Sequence, residues 1–419
     1  MTVYRFPRGF LWGAATAAHQ VEGGNRLNDW WPAEEEGRLP HRSGEACRFW
    51  DLFERDLDLA RRFGHNAHRL SLEWSRIEPE PGRFDEAALD HYAAILEAMA
   101  ARGIEPVVTL HHFTSPLWFA RRGGWLDHRN LAAFEAYAGK VAERLASKVR
   151  WWITVNEPTV LAKHGFVTGD WPPFRRGRWD LALRTIRAMG RGHVRARAAL
   201  RAVRPDAMVS FAHSAPWIEP CNPGRAADRT AALARDFFLN RLPFRMLGGA
   251  PRHVLDYVAI NYYTRMVVRW EGHGRAALFG RDCLDDHHGT GRRFASTGAE
   301  IHAPGLLQVL ESYAPLGLPM MITENGLATD DEVLRTVGLR EHLEALGQAV
   351  ARGLDVRGYL HWTLMDNFEW ALGTTVRFGL AANDSATQVR TPRPAMILLA
   401  EVARANAVAA AATQEAAAG

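Results

Sequence analysis

Strand-like and helix-like segments alternate along the whole 419-residue chain, and that rhythm leaves few folds open. Short β-branched or apolar runs stand at Phe10–Ala15, Ala67–Glu73, Glu105–His112, Trp151–Asn156, Ala207–His213, Leu255–Tyr262, Pro319–Glu324 and Arg357–Leu364. Helical patterns follow at Cys47–Phe63, Glu86–Arg102, Leu131–Ser147, Leu181–Val203, Ala226–Phe238, Leu306–Ser312, Glu332–Arg352 and Pro394–Ala405. Eight such units without a composition break predict a single (β/α)8 TIM barrel over residues 1–408. Its chemistry is then expected at the C-terminal ends of the strands. Residues 409–419 are expected to be a disordered tail, because the Ala-rich stretch from Ala407 offers little to pack. Asp330 is expected to cap the helix from Glu332, Gly353 to end it, and Pro205 to stop the helix before the fifth strand.

Two of the strand candidates end in a carboxylate. Met321-Ile322-Thr323-Glu324-Asn325-Gly326 carries an apolar run into an acid and a turn. Trp151-Trp152-Ile153-Thr154-Val155-Asn156-Glu157-Pro158 does the same far upstream. A carboxylate at the end of a buried strand costs desolvation unless something requires it there. Arg69, His112, Asn156, Asn261 and Tyr263 fall at other strand ends, so these polar groups and the two acids converge on one face. Two carboxylates on different strands can cleave a glycosidic bond, one as acid and the other as nucleophile or base. Glu157 has no cation nearby in sequence, which suits a proton donor. Glu324 needs a cation or donors to stay ionised, and Arg69 and Tyr263 are the candidates.

Composition narrows the alternatives. Hydrophobic residues make up 47% and charged residues 23%, the balance of an ordinary globular chain. The net charge is only +4 and the arginines are scattered, which argues against nucleic acid as a partner. No apolar run reaches the length of a membrane span. Arg5 and Arg8 before Phe10–Ala18 imitate a secretory signal, but Trp12 and Gly13 interrupt the run, and a buried first strand is expected. Cys47, Cys221 and Cys283 are far apart, which fits a reducing, cytoplasmic compartment. Fifteen tryptophans are many, and a flat indole stacks well on the apolar face of a sugar. Cys283 and Asp285-Asp286-His287-His288 gather metal-ligating residue types without regular ligand spacing, so no metal and no cofactor are expected.

The chain resembles family 1 of the glycoside hydrolases, the β-glucosidase and β-galactosidase group, over nearly its whole length. Four stretches carry the resemblance: Phe10 to Gly23, Thr154-Val155-Asn156-Glu157-Pro158, Ile322-Thr323-Glu324-Asn325-Gly326, and Trp362 to Trp370. It implies a retaining, exo-acting β-glycosidase that releases a terminal glucosyl, galactosyl or fucosyl unit from small-molecule β-glycosides. Glu324 would be the nucleophile and Glu157 the acid and base. By the same matching, Arg69 and Tyr263 would hold Glu324, and Asn156 would bind the sugar 2-hydroxyl. Gln20, His112, Glu369 and Trp370 would grip the glycone, Trp362 would form its floor, and Asn261 would support the site. A cis Trp362–Thr363 peptide is also implied.

Departures from the family pattern point outward. Phe113 follows His112 where many members carry tryptophan, and Ser296–Pro304 lacks the usual Gly-Trp and Tyr-Pro pairs. These changes concern the leaving-group side. Glu369 favours a neutral glycone, since a carboxylate repels phosphate. A transglycosylase on the same residues, a catalytically silent sugar-binding relative and a metal-dependent barrel hydrolase are the rival readings.

Overall fold

A computed structural model describes residues 2–272, 278–285 and 291–410. Eight parallel strands close into a barrel: β1 (Leu11–Ala15), β2 (Ala67–Ser71), β3 (Glu105–His111), β4 (Trp151–Asn156), β5 (Met208–Ser214), β6 (Val258–Asn261), β7 (Met320–Asn325) and β8 (Val356–Trp362). Strands packed inside and covered by helices outside must be apolar on both faces. Every residue of β2, β4 and β7 is accordingly buried. The sheet closes where β1 pairs with β8, from Leu11 opposite Gly358 to Ala15 opposite Trp362. Gly13 is required on β1, because a Cβ there would lie 1.8 Å from the Ala67 carbonyl oxygen. The signal-like segment is thus the first barrel strand, with Trp12 buried.

Around the barrel run α1 (Phe49–Arg62), α2 (Glu86–Ala101), α3 (Asn130–Leu145), α4 (Trp179–Val203), α5 (Ala226–Asp236), α6 (Ala303–Tyr313), α7 (Glu332–Ala351) and α8 (Pro394–Ala405). None of these helices is long and apolar enough to cross a membrane. α4 stops short of Pro205, and Gly353 follows α7 at φ 85°, as expected.

Several boundaries differ from the sequence reading. α7 is capped by Asp331, whose carboxylate accepts from the Val333 and Leu334 amides at 2.9 and 3.0 Å, and not by Asp330. α6 begins at Ala303, ahead of Leu306. Pro304 sits in its first turn, where a missing N–H costs nothing, and His302 caps it through the Gly305 amide. β6 is shorter than Leu255–Tyr262 because Pro251–Val254 forms a helical turn and Asp256 is held by Arg197 and Arg201. The expected fraying from Ala407 does not occur there: Ala407–Ala409 pairs antiparallel with Val3–Arg5. Residues 411–419 lie outside the described residues.

The long insertion after β6 contributes Arg265–Arg269 and Arg281–Asp282 to a three-stranded sheet with Trp217–Pro220. At its edge the Sγ atoms of Cys221 and Cys283 lie 2.9 Å apart. Asp286, His287 and His288 of the metal-like stretch are outside the described residues.

Candidate active site

Both acids stand where a strand slips register. On β7, Ile322 faces Ile260 but Glu324 faces Asn261, so β7 carries one residue more than β6 just before the acid. On β4, Ile153 faces Ser210 and Asn156 faces Ala212, again one residue more on the acid-bearing strand. Such bulges re-aim the side chains that follow them. Glu157 then leaves the strand in a left-handed conformation, φ 41° and ψ 66°, at the head of the short helix Pro158–Ala162. That conformation is costly for a residue with a Cβ, and the following proline already steers Glu157 away from the right-handed helix.

Glu324 and Glu157 line one cavity of about 340 Å³ at the C-terminal mouth of the barrel. Their surroundings differ. Arg69, fully buried on β2, donates from Nη1 to Glu324 Oε1 at 2.5 Å. Tyr263 Oη donates to Glu324 Oε2 at 2.7 Å. Glu157 instead receives the Asn261 amide at 2.9 Å on Oε1. Asn156 ties the two halves together: its Oδ1 accepts from Arg69 Nη2 at 2.6 Å and from Asn261 Nδ2 at 3.2 Å. One network therefore braces both acids, with the cation on the Glu324 side.

Burial pushes the Glu157 carboxyl up to about 8, and the charge of Glu324 adds to the shift. Burial also raises Glu324, while Arg69 and Tyr263 pull it back. Glu369 lies in the same cavity, raised to about 7 by burial and then by Glu324, and eased by Gln20 and Trp362. Burial, and then Arg69, hold His112 neutral.

His112, Trp362, Glu369 and Trp370 complete the wall, with Gln20 behind them. Trp362 stacks on His112 at 5.7 Å and 23° between ring planes. Trp370 stacks on His112 as well, at 6.1 Å, and on His19 at 5.9 Å. The Trp362–Thr363 bond is cis. Gly326 is needed beside it, since a Cβ would meet the Trp362 carbonyl oxygen at 2.0 Å. Gln20 Nε2 donates to the Phe368 carbonyl at 2.8 Å and to Glu369 Oε2 at 3.1 Å, while its Oε1 is buried without a partner. His112 Nδ1 is likewise unpartnered, and its Nε2 faces the Asn156 amide at 3.1 Å. Buried polar atoms of this kind suit a hydroxyl-rich ligand.

Four of the expected residues, Gln20, Arg69, Asn156 and Asn261, stand behind the cavity wall as its bracing. Other wall residues escaped the sequence reading. His164 stacks on Trp171 at 4.4 Å and meets Asp170 Oδ1 at 3.0 Å, and all three line the cavity. They lie on a π-helical turn, Lys163–Thr168, and the loop after it, where no periodicity marks them. Phe113 packs between Trp171 and Trp370, at 5.1 and 5.2 Å.

A (β/α)8 barrel whose catalytic face holds two buried acids, one beside a cation and one beside an amide, is laid out as a glycoside-cleaving hydrolase. Comparison with known proteins agrees. The profile of glycosyl hydrolase family 1 matches residues 2–247 and 247–408, and the chain belongs to that family and is a glycoside hydrolase. It is 30% identical to beta-glucosidase A of Thermotoga maritima, over 93% of this chain and 96% of that one. It is 27% identical to a beta-galactosidase of Pyrococcus woesei, covering 93% and 94%. Among solved structures, a beta-glycosidase from Pyrococcus horikoshii superposes with a TM-score of 0.89 at 37% identity, covering 98% of this chain and 97% of that one. The family 1 b-glucosidase of Thermotoga maritima has been solved with isofagomine lactam bound, and it matches with a TM-score of 0.88 at 26% identity, over 97% and 100%.

Proposed function

We propose that the protein is a retaining, exo-acting β-glycosidase that releases terminal β-D-glucosyl residues, and galactosyl or fucosyl residues as well, from small-molecule β-glycosides. Glu324 attacks the anomeric carbon and the C–O bond to the aglycone breaks. Glu157 gives its proton to the departing oxygen. A glycosyl–Glu324 ester remains; Glu157, now a base, takes a proton from water, and the water oxygen displaces Glu324. The observation that carries this reading is the opposed support of two buried acids in one cavity: Arg69 and Tyr263 on Glu324, the neutral Asn261 amide on Glu157. Gln20, His112, Glu369 and Trp370 hold the glycone hydroxyls, over a floor made by Trp362, with Asn156 beneath the 2-hydroxyl. A cytoplasmic location belongs to the same proposal, supported by the wide spacing of Cys47, Cys221 and Cys283 along the sequence.

The test is Glu324→Ala on a panel of aryl β-glycosides. Turnover is expected to fall by on the order of 10⁴-fold or more. Azide, small enough to occupy the vacated space, is expected to restore part of it and to yield the glycosyl azide of inverted configuration. Wild-type rates in the variant would overturn the assignment.

A further inference from the structure

A row of stacked rings leads from the cavity wall into the protein. Trp362 and Trp370 both stack on His112, and Trp370 carries the row on to His19, with 23°, 14° and 19° between neighbouring planes. Trp370 sits at φ 50°, a left-handed conformation that a bulky residue keeps only where its surroundings over-determine it. The turn Ala18–Val21 contributes to that support. His19 lies flat against Trp370 and meets Phe368 edge-on at 5.9 Å, while Gln20 reaches the Phe368 carbonyl and Glu369.

His19 is itself fixed. Asn28 Oδ1 accepts from the Trp30 and Trp31 amides, each at 3.1 Å. The atom that Asn28 turns to His19 Nδ1, at 3.0 Å, is therefore its Nδ2 donor. Nδ1 is then an acceptor, the imidazole proton sits on Nε2, and Nε2 donates to Glu34 Oε1 at 2.9 Å. Glu34 Oε2 accepts from the Ser43 amide at 2.8 Å and from its hydroxyl at 2.7 Å. Neither side chain of the His19–Glu34 pair has exposed surface, and among the described residues no arginine or lysine pairs with Glu34. Burial raises the Glu34 carboxyl, and the His19 and Ser43 donors bring it below its ordinary value. A buried carboxylate without a cation is costly, and the packing of the short helix Trp30–Glu35 does not call for one.

We propose that Glu34 and His19 are positioning residues for glycone binding: Glu34 fixes the imidazole, the imidazole fixes the Trp370 indole, and the indole meets the sugar. The inference rests on the glycosidase reading above and adds to it two residues that touch no substrate.

Glu34→Gln tests it. The amide keeps the shape, but its N–H2 must face either the His19 donor or the Ser43 amide, so one buried donor loses its acceptor. KM for a nitrophenyl β-glucoside is expected to rise about tenfold. The kcat should stay within about twofold, because the loss is in binding and not in the chemical step. His19→Phe keeps a ring beside Trp370 without the hydrogen bonds and should raise KM to a similar extent. The double variant should be no worse than His19→Phe alone, since Glu34 acts through His19. An unchanged KM in Glu34→Gln, a loss confined to kcat, or effects that multiply in the double variant would overturn the proposal.

Fluorotryptophan labelling reads Trp370 whether or not any glycoside is hydrolysed. The fluorine resonance missing from Trp370→Phe belongs to Trp370, and it is expected to move or broaden in Glu34→Gln. If it does so in a protein that hydrolyses no β-glycoside, the positioning stands and the glycosidase reading alone fails. An unchanged resonance overturns the positioning even if hydrolysis is rapid. Should Glu34→Gln fail to fold, Ser43→Ala removes one of the two Ser43 donors and carries the same tests with a smaller shift.

Discussion

The strand ends of β4 and β7 carry the same residue type, at similar burial, on the same face, each after a one-residue slip. They differ in what stands beside the carboxylate. At β7 a guanidinium and a phenol donate to Glu324; at β4 an amide donates to Glu157. Burial alone would raise both acids and leave neither suited to attack. One cation placed on one side divides the labour, and the charge it stabilises then helps to keep the proton on the other acid. Chemical role in this pocket follows the neighbour, not the residue.

That contrast can be broken at either end. After the loss of Glu324 itself, the largest effect is expected for Glu157→Ala with alkyl leaving groups, where loss of the proton donor should lower kcat/KM by on the order of 10³-fold. Activated nitrophenyl glycosides should lose far less in the glycosylation step, so a plot of rate against leaving-group pKa should steepen. Equal losses for both substrate classes would deny Glu157 its role.

Arg69→Met removes the cation and leaves the Glu324 charge buried without its partner. A drop in turnover on the order of 10²-fold is expected, with lowered stability at neutral pH where Glu324 must ionise. Unchanged turnover, measured with nitrophenyl glucosides, would mean that the asymmetry does not matter. Arg69→Lys should recover part of the loss.

The smallest effect is a shift in the pH profile. Glu157 works protonated, and its carboxyl is raised to about 8, so kcat/KM should be high below that value and fall as pH rises through it. The charge of Glu369 contributes to that elevation. Glu369→Gln removes a neighbouring negative charge, lowers the Glu157 pKa and should move the basic limb to lower pH by a few tenths of a unit. A limb that stays in place or moves upward would show that Glu369 does not act on Glu157 through charge.

Much of the barrel was legible because its strands and helices are separate runs with their own periods, and parallel burial writes near-continuous apolar stretches such as Trp151–Val155. Boundaries were less so. The helical pattern reads as starting at Leu306, although α6 begins at Ala303 with Pro304 harmless in its first turn. Ala407–Ala409 reads as slack chain, although Val3–Arg5 waits at the other terminus to pair with it. Both errors arise where a partner distant in sequence, or a position within an element, reverses a local preference. His164, Asp170 and Trp171 were invisible for a related reason: they meet only because a π-helical turn and the loop after it fold them together.

From the sequence alone came the eight-unit rhythm, the two acids at strand ends and the family resemblance, since each is written in contiguous residues and fixed spacing. Only the tertiary structure decided that Arg69 reaches across the barrel to Glu324 and that Asn261 serves Glu157. Those facts depend on which strands are neighbours in a closed sheet and on one-residue slips in their register. Bulges and closure are properties of pairing between strands, and no single strand encodes them.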